Sequence, residues 1–248
     1  EFQKNQTFKI STTKIFDEYS EAKKLGIETR PVIIGPVTFL LLGKTQDHSD
    51  KLDLLDNLLA AYGELFAKLN DLGVKDVQID EPFLVTDLSA DAKKAYKKAF
   101  GEINKFKGSI NLHLTTYFEA LGENTALAFD LGTSSVHVDL VRAPEQFNEV
   151  LNAVKENQTL SLGLVDGRNI WINNLQTSIN LAKKAIEKLG EKRVIIAPSC
   201  SLIHTPVDLA AEENLDVELK SWLSFATQKL DEIVTIKRAA TSSDATIL

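Results

Sequence analysis

The sequence is poor in cysteine and histidine and contains no methionine. Its 248 residues include one cysteine, Cys200, and four histidines. A lone cysteine cannot form a disulfide within the chain, which excludes a disulfide-stabilised scaffold. The most apolar stretch, residues 31–42, is interrupted by Gly35, Pro36 and Thr38 and is shorter than the roughly 18 residues that cross a bilayer. We therefore expect neither an integral membrane protein nor a membrane partner.

The start of the sequence lacks two further features. It has no charged and apolar leader ending in small residues, which predicts a cytoplasmic protein. It also opens at Glu1 without an initiator methionine, and no methionine follows. We therefore interpret the chain as a fragment of a longer polypeptide.

The charge balance is acidic. Lys and Arg number 28 against 35 Asp and Glu, which gives a formal net charge of −7. That charge repels a polyphosphate backbone, and the lysines are scattered rather than gathered in a stripe. Nucleic acid is therefore not expected as a partner.

Short β-branched runs alternate with amphipathic segments from residue 31 onward. Six runs predict strands, namely 31–37, 76–82, 109–117, 135–141, 159–165 and 193–198. Helical spacing of apolar residues predicts helices between them, and the last predicted stripe consists of Leu219, Trp222, Leu223, Ala226, Leu230 and Ile233. A strand followed by a helix, repeated six times, predicts a parallel α/β sheet.

Polar residues follow nearly every predicted strand, which favours a closed barrel over an open doubly wound sheet. A (β/α)8 barrel brings all of its strand ends to one face, and no Gly-x-Gly-x-x-Gly fingerprint supports a dinucleotide fold. A barrel of about 250 residues has eight βα units, whereas six follow the predicted helix 13–25. The prediction is a TIM-type (β/α)8 barrel over 1–238 without its first two βα units, then an interdomain connector over 239–248. Runs 31–37 and 193–198 are expected to be its first and last strands, each with an apolar edge.

Two adjacent carboxylates, Asp80 and Glu81, close the second predicted strand. Neighbouring residues in a strand point to opposite faces, so only one of them can face a barrel axis without a twist. One hypothesis places Asp80 in the pocket as a base or a hydrogen-bond acceptor for substrate. The alternative, equally open, is that the two acids anchor loops or cap the next helix.

The segment after the fifth predicted strand combines an acid, a glycine, a guanidinium, an amide and an aromatic ring: Asp166, Gly167, Arg168, Asn169 and Trp171. Arg168 can hold a carboxylate through two hydrogen bonds. Asp166, Arg168 and Asn169 are therefore candidate substrate-binding residues. The competing interpretation is an internal Asp166–Arg168 pair that locks the turn. Trp171 either stacks on a planar ring or packs under a loop.

Ser199, Cys200 and His204 follow the last predicted strand. A Cys/His nucleophile needs a group that orients the histidine and a pocket that lowers the thiol pKa, and the sequence indicates neither. No Cys-x-x-Cys or His-x-x-x-His spacing supplies metal ligands. We expect a structural cysteine, no metal site and no catalytic residue in this chain, with Ser199 as a further substrate-binding candidate. His113 and His137 are interpreted as hydrogen-bonded core residues.

Six ordered segments and a closing one carry a family resemblance. They are RPVIIGPVTFLLLGK (30–44), QIDEP (78–82), LTTYF (114–118), HVDLV (137–141), VDGRNIW (165–171), APSCSLIH (197–204), and SWLSFA with QKL (221–226 and 228–230). Over essentially the whole chain they resemble the amino-terminal domain of the cobalamin-independent methionine synthase family.

The resemblance implies a two-barrel methyltransferase that moves a methyl group from 5-methyltetrahydrofolate with a glutamate tail to homocysteine. It implies folate triglutamate and homocysteine as substrates, the carboxy-terminal barrel of the same polypeptide as a partner, and a zinc ion in that absent barrel. When this chain is aligned with the zinc-ligand pattern of that barrel, the four ligand positions correspond to Leu114, Thr116, Asp139 and Cys200. Leucine cannot bind zinc and threonine is a poor ligand. This chain is therefore expected to be the non-zinc barrel, inactive alone, with scaffold and folate-side cleft.

The sequence departs from the family pattern at one motif and lacks another. Ile172 stands where the family usually has arginine, so an anion contact from that position is not expected. The basic segment that grips the folate tail in the family lies upstream of Glu1.

Two other functions stay open on sequence alone. A decarboxylase of the uroporphyrinogen type shares the barrel and needs no metal, but it requires several arginines for substrate carboxylates. Of Arg30, Arg142, Arg168, Arg193 and Arg238, only Arg168 lies clearly at the catalytic end of a predicted strand. The other alternative is a binding barrel without catalysis.

Overall fold

Six strands alternate with helices in the computed structural model, which describes residues 1–242. The strands are β1 (Val32–Ile34), β2 (Asp76–Asp80), β3 (Asn111–Thr115), β4 (Ser135–Asp139), β5 (Thr159–Val165) and β6 (Val194–Pro198). They form one sheet in the order β1-β2-β3-β4-β5-β6, so the first and last predicted strands are the edge strands. Pairing is parallel, with Ile33 opposite Ile79 and Leu162 opposite Ile196. The predicted parallel α/β sheet is confirmed.

Amphipathic segments form the helices between these strands. Over residues 1–242 they are α1 (Lys14–Lys24), α2 (Pro36–Leu42), α3 (Leu55–Asp71), α4 (Ala90–Phe106), α5 (Thr125–Asp130), α6 (Phe147–Ala153), α7 (Leu175–Leu189), α8 (Val217–Lys220) and α9 (Ala226–Thr241). Helix α1 confirms the helix predicted at 13–25. Helix α7 ends at Leu189, and the C-cap Gly190 that follows has a φ of +86°, which suits a residue without a side chain.

The first strand is shorter than predicted. Residues 31–37 were expected to be extended, whereas β1 ends at Ile34 and Pro36 is the first residue of α2. Gly35 is the extended N-cap, and proline fits the first helical position because its missing N–H has no partner there in any helix. The proline therefore starts a helix rather than ending a strand.

The last predicted apolar stripe is wrong. Helix α8 ends before Trp222, α9 begins after it, and Trp222 and Leu230 are 53% and 54% exposed. The buried face of α9 instead contains Lys229 and Ile236. Helix α9 also continues to Thr241, past the predicted boundary at 238, because alanines with high helix propensity occupy positions 239 and 240 and are buried. The rest of the predicted connector, residues 243–248, lies outside the described residues.

The described residues form two compact units. Unit one comprises residues 1–116 and 121–136, and unit two comprises residues 117–120 and residue 137 onward. Large buried side chains of unit one include Phe66, Ile79, Tyr96, Phe100, Ile103 and Leu112. Those of unit two include Leu160, Leu162, Val165, Ile179 and Ile236. Each fully buried side chain of this size contributes about 1.5–3 kcal/mol.

No helix within residues 1–242 is both long enough and apolar enough to cross a membrane.

Candidate functional site

The segment that follows β5 contains three of the candidate residues, and hydrogen bonds within residues 166–169 shape it into a turn. One carboxylate oxygen of Asp166 accepts a hydrogen bond from the backbone N–H of Arg168 at 2.7 Å. The other accepts from the side-chain amide of Asn169 at 2.8 Å. These short-range bonds fold residues 166–169 into a turn. Asp166 thus contacts the backbone of Arg168, and the guanidinium has a different neighbour.

That neighbour is Phe118. The guanidinium carbon of the exposed Arg168 lies 4.7 Å from the centre of the Phe118 ring, in a cation–π contact. Phe118 has a φ of +84°, which is rare for a bulky residue, and its N–H donates to Asp139 at 3.0 Å. The ring of His204 lies 6.1 Å from the same phenyl ring. An aromatic and cationic surface therefore forms beside the turn.

Ser199 connects the end of β6 to the same turn. Its buried hydroxyl accepts a hydrogen bond from the N–H of Gly167 at 3.2 Å, and its own N–H donates to the carbonyl of Val165 at 2.7 Å. A Cβ atom at Gly167 would lie 2.8 Å from the carbonyl oxygen of Cys200 and 2.9 Å from its Sγ. Only glycine allows this approach. Ser199 therefore fixes the base of the turn.

Cys200 is buried in this region and does not have the properties of a nucleophile. Burial raises the pKa of its thiol, with smaller effects from neighbouring groups. An attacking cysteine needs the opposite shift, because the thiolate is the reactive form. The structural role predicted for Cys200 agrees with this environment.

The positions that correspond to zinc ligands do not make a metal site. One oxygen of Asp139 accepts from the N–H groups of Val141 and Arg142 at 3.0 and 2.9 Å, and the other accepts from Phe118. Leu114 offers no ligand atom. Among residues 1–242, no cluster of three or more His, Cys, Asp or Glu side chains is arranged to hold a metal ion.

Lys229 on α9 contacts the same turn and is the residue that the sequence pattern missed. It is 0% exposed, and its Nζ donates to the side-chain oxygen of Asn169 at 3.2 Å and to the carbonyl of Trp171 at 3.1 Å. Burial lowers the pKa of this lysine, whereas the charges of Glu232 and Asp166 raise it. In the sequence Lys229 belongs to the QKL segment (228–230) that shares the family resemblance, but the helical spacing of a lysine ordinarily indicates a solvated face.

Asp80 and Glu81, in unit one, have different environments. Asp80 is half-buried at the end of β2, where one of its oxygens accepts from the side-chain amide of Gln78 at 2.8 Å. Glu81 is 0% exposed and accepts from the N–H groups of Val37 and Thr38 at 3.2 and 2.8 Å. Glu81 therefore caps the start of α2 from a neighbouring strand.

The Glu81 carboxylate also has a third donor and little space. The hydroxyl of Tyr96 donates to it at 3.1 Å, and a Cβ atom at Gly35 would lie only 2.0 Å from the carboxyl group. Burial raises the pKa of Glu81 to about 7, although the donors from Thr38, Tyr96 and Val37 act in the other direction. Desolvation is thus the largest effect on this carboxyl group.

The two strand histidines are hydrogen-bonded core residues, as predicted. His113 contacts the Ser135 hydroxyl and an oxygen of Asp76, both at 2.7 Å. His137 contacts the Ser161 hydroxyl at 2.9 Å and the carbonyl oxygen of Ser199 at 3.2 Å. Burial lowers the pKa of both rings. Neither histidine is placed as a ligand or a base.

In unit two, the structure brings four of the five sequence-predicted candidates together around one turn: Asp166, Arg168, Asn169 and Ser199. Asp80 belongs to unit one. Together the fold and this turn define an α/β domain whose polar side chains follow parallel strands. The chain belongs to the family described as "Cobalamin-independent synthase, N-terminal domain", whose model matches residues 1–190.

Curated relatives share close to half of the residues of this chain. A protein of Saccharomyces cerevisiae named 5-methyltetrahydropteroyltriglutamate–homocysteine methyltransferase is 49% identical over 98% of the chain. A protein of Rhodopseudomonas palustris with the same name is 45% identical over 100% of it. The chain spans 32% of the length of each of these relatives.

Solved structures with a similar fold have much lower sequence identity. A putative vitamin-B12 independent methionine synthase from Listeria monocytogenes superposes with a TM-score of 0.65 at 14% identity, covering 96% of this chain and 72% of that one. A B12-independent methionine synthase from a Shewanella species gives a TM-score of 0.60 at 14% identity, covering 94% and 67%. These similarities concern the fold alone.

Proposed function

We propose that this chain is part of a methyltransferase that transfers a methyl group from 5-methyltetrahydropteroyltriglutamate to homocysteine to form methionine. The observation that carries the proposal is 45–49% identity, over 98–100% of the chain, to relatives named for that reaction. Because the chain spans 32% of those relatives, the reaction belongs to the whole polypeptide. In this proposal the chain supplies scaffold and the folate-side cleft, and none of its residues is catalytic.

The proposed architecture is a (β/α)8 barrel over residues 1–238 whose first two βα units come from upstream polypeptide. Strand β1 is an edge strand with Val32 and Ile34 53% and 39% exposed, and an open apolar edge invites a further strand. A cavity of about 540 Å³ beside this strand is lined by Tyr19, Arg30 and Val32, among others. Residues from 239 onward would lead to the carboxy-terminal barrel.

Zinc chemistry is assigned to that carboxy-terminal barrel. A zinc ion lowers the pKa of a bound thiol and presents it as a thiolate. The residues of this chain do not fit the metal, because backbone N–H groups occupy both oxygens of Asp139 and burial raises the pKa of Cys200. Activation of homocysteine is therefore not a task of this chain.

Arg168 is the proposed contact for a folate carboxylate. A guanidinium that lies on a phenyl ring keeps the N–H donors of its edge available for two parallel hydrogen bonds to a carboxylate. The glutamate tail of the folate provides such carboxylates. Asp166 and Asn169 shape the turn that presents Arg168, and Ser199 fixes its base. Asp80 is proposed as a separate substrate contact from unit one.

Replacing Arg168 tests this proposal in the full-length protein. We expect Arg168→Ala to raise the KM for the triglutamate substrate at least tenfold, since a charge-assisted hydrogen bond contributes about 1.5–3 kcal/mol. The KM for homocysteine should stay within about twofold. The KM of Arg168→Lys for the triglutamate should lie between those of the unchanged protein and Arg168→Ala, because the lysine ammonium group is a point charge and cannot form both hydrogen bonds. Steady-state kinetics with each substrate varied in turn measure these values.

The matched control is Arg238→Ala on the exposed surface of α9. It removes the same charge and should leave both KM values unchanged. An Arg168→Ala protein with an unaltered KM for the triglutamate would contradict the role proposed for this turn.

A further inference from the structure

Two side chains of α9 contact the segment that follows β5, in addition to the backbone hydrogen bonds that Ile170 and Ile172 make with residues 222–224. Lys229 and Glu232 are three residues apart and therefore lie on one face of the helix. Lys229 donates to the Asn169 side chain and to the Trp171 carbonyl, at 3.2 and 3.1 Å. Glu232 accepts from the N–H of Asn173 at 2.9 Å. Contacts from these two residues thus span residues 169–173.

The Lys229 contact continues into the candidate turn. The same Asn169 oxygen that accepts a hydrogen bond from Lys229 also accepts one from the N–H of Trp171, at 3.1 Å. The amide nitrogen of Asn169 donates to Asp166, whose other oxygen accepts from the N–H of Arg168. An unbroken chain of hydrogen bonds therefore connects α9 with the backbone of Arg168.

Burial makes this contact unusual for a lysine. Lys229 is 0% exposed, and burying an ammonium group is costly unless its donors find partners. Two carboxylates act on the Lys229 ammonium group through their negative charge, namely Glu232 on its own helix and Asp166 on the turn. One oxygen of Glu232 is buried without a hydrogen-bond partner among the described residues. The two satisfied donors of Lys229 hold Asn169 and the Trp171 carbonyl in defined positions, since hydrogen bonds in a buried polar network rigidify their surroundings.

We infer that Lys229 is a positioning residue for the substrate-binding turn, acting through Asn169, with Glu232 holding the far end of the same segment. The inference rests on the proposed function only in calling the turn substrate-binding. The positioning role itself concerns the order of residues 166–173. Lys229 makes no contact with the guanidinium of Arg168 in this role; it fixes the turn from which that side chain extends.

Lys229→Met tests the inference, because methionine fills similar volume and cannot donate. We expect the amides of Arg168 and Trp171 to exchange with deuterium at least tenfold faster in the full-length protein, while amides of β5 and β6 keep their rates. A purely structural lysine would instead speed exchange across β5, β6 and α9 together. Lys237→Met, on the exposed face of the same helix, is the matched control and should change none of these rates.

A second variant covers the case in which Lys229→Met does not fold. Glu232→Ala removes the half-buried end of the contact, and the Asn173 amide should then exchange at least tenfold faster with the rest of α9 unchanged. Unchanged exchange over 166–173 in the variants that fold, or a uniform increase over unit two, would overturn the inference.

Kinetics separate this inference from the proposed function. If both hold, Lys229→Met raises the KM for the triglutamate at least threefold with kcat within twofold. Faster exchange with unaltered KM values in both Lys229→Met and Arg168→Ala would keep the positioning role and remove the substrate role of the turn. A raised KM in Arg168→Ala, with unaltered exchange and KM in Lys229→Met, would keep the substrate role of the turn and overturn the positioning role of Lys229.

Discussion

Glu81→Ala should lower the free energy of unfolding by about 3–5 kcal/mol at pH 7. The truncation leaves the N–H groups of Val37 and Thr38 and the hydroxyl of Tyr96 without their acceptor in a fully buried place. Each buried donor that loses its partner costs about 1–3 kcal/mol. Urea denaturation followed by circular dichroism measures the change, provided that the m-value stays constant.

Glu64→Ala is the control for this truncation, because Glu64 lies on the exposed surface of α3. It removes the same side chain and should change the free energy of unfolding by less than about 0.5 kcal/mol. A Glu81→Ala protein as stable as the Glu64→Ala protein would show that the carboxylate does not hold the start of α2.

The contribution of the Glu81 carboxylate to the free energy of unfolding depends on pH. The pKa of Glu81 is raised from 4.5 to about 7 by burial, and the facing hydroxyls of Tyr62 and Tyr96 also have raised pKa values because they are buried. The stability linked to the raised pKa is fully present below pH 4.5 and is lost as the pH rises through about 7. The loss amounts to about 3 kcal/mol at 1.36 kcal/mol per pKa unit. Glu81→Gln should remove this slope, and a retained slope would assign it to other groups.

Gly163→Ala should destabilise the protein by about 3 kcal/mol, near the upper end for overpacking. A Cβ atom at Gly163 in β5 would lie 2.8 Å from both the Cα of Ser199 and the carbonyl oxygen of Val138. It would also lie 3.0 Å from the ring of His137. Two of these three atoms are backbone, so relief requires strand movement rather than a rotamer change. Thermal unfolding measured by calorimetry reports the loss.

Gly101→Ala provides the opposite result as a control. Gly101 lies inside α4, and a Cβ atom there would meet nothing within 4 Å. Alanine should stabilise this helix by about 0.5–1 kcal/mol. If Gly163→Ala did not lower the stability of the protein, this would contradict the close approach of β5 to the backbone of Ser199.

Periodicity was sufficient to predict the sheet, because the six strands are bounded by turn residues and separated by helical stripes. It did not place Pro36, since an apolar run around Gly-Pro reads equally as a strand end or a helix start. It also failed on α9, where Leu230 is exposed and Lys229 is buried. A buried lysine is fixed by acceptors far along the chain, which spacing alone does not show.

The candidate site likewise combines local contacts that the sequence predicts with long-range contacts that it does not. The bonds from Asp166 to residues 168 and 169 are local and follow from an Asp-Gly-x-Asn turn. The contact of Lys229 with Asn169 joins residues 60 positions apart, and Phe118 depends on a φ of +84°. Lys229 and Phe118 both lie in segments that carry the family resemblance, but their contacts are visible only in the folded chain.

Methionine formation by two preparations tests whether this chain acts only as part of the longer polypeptide. Residues 1–248 alone and the full-length protein that contains them are each supplied with 5-methyltetrahydropteroyltriglutamate, homocysteine and zinc. We expect methionine from the full-length protein and none from residues 1–248, because the proposed function assigns thiol activation to the carboxy-terminal barrel. Methionine from residues 1–248 alone, or none from the zinc-loaded full-length protein, would contradict it.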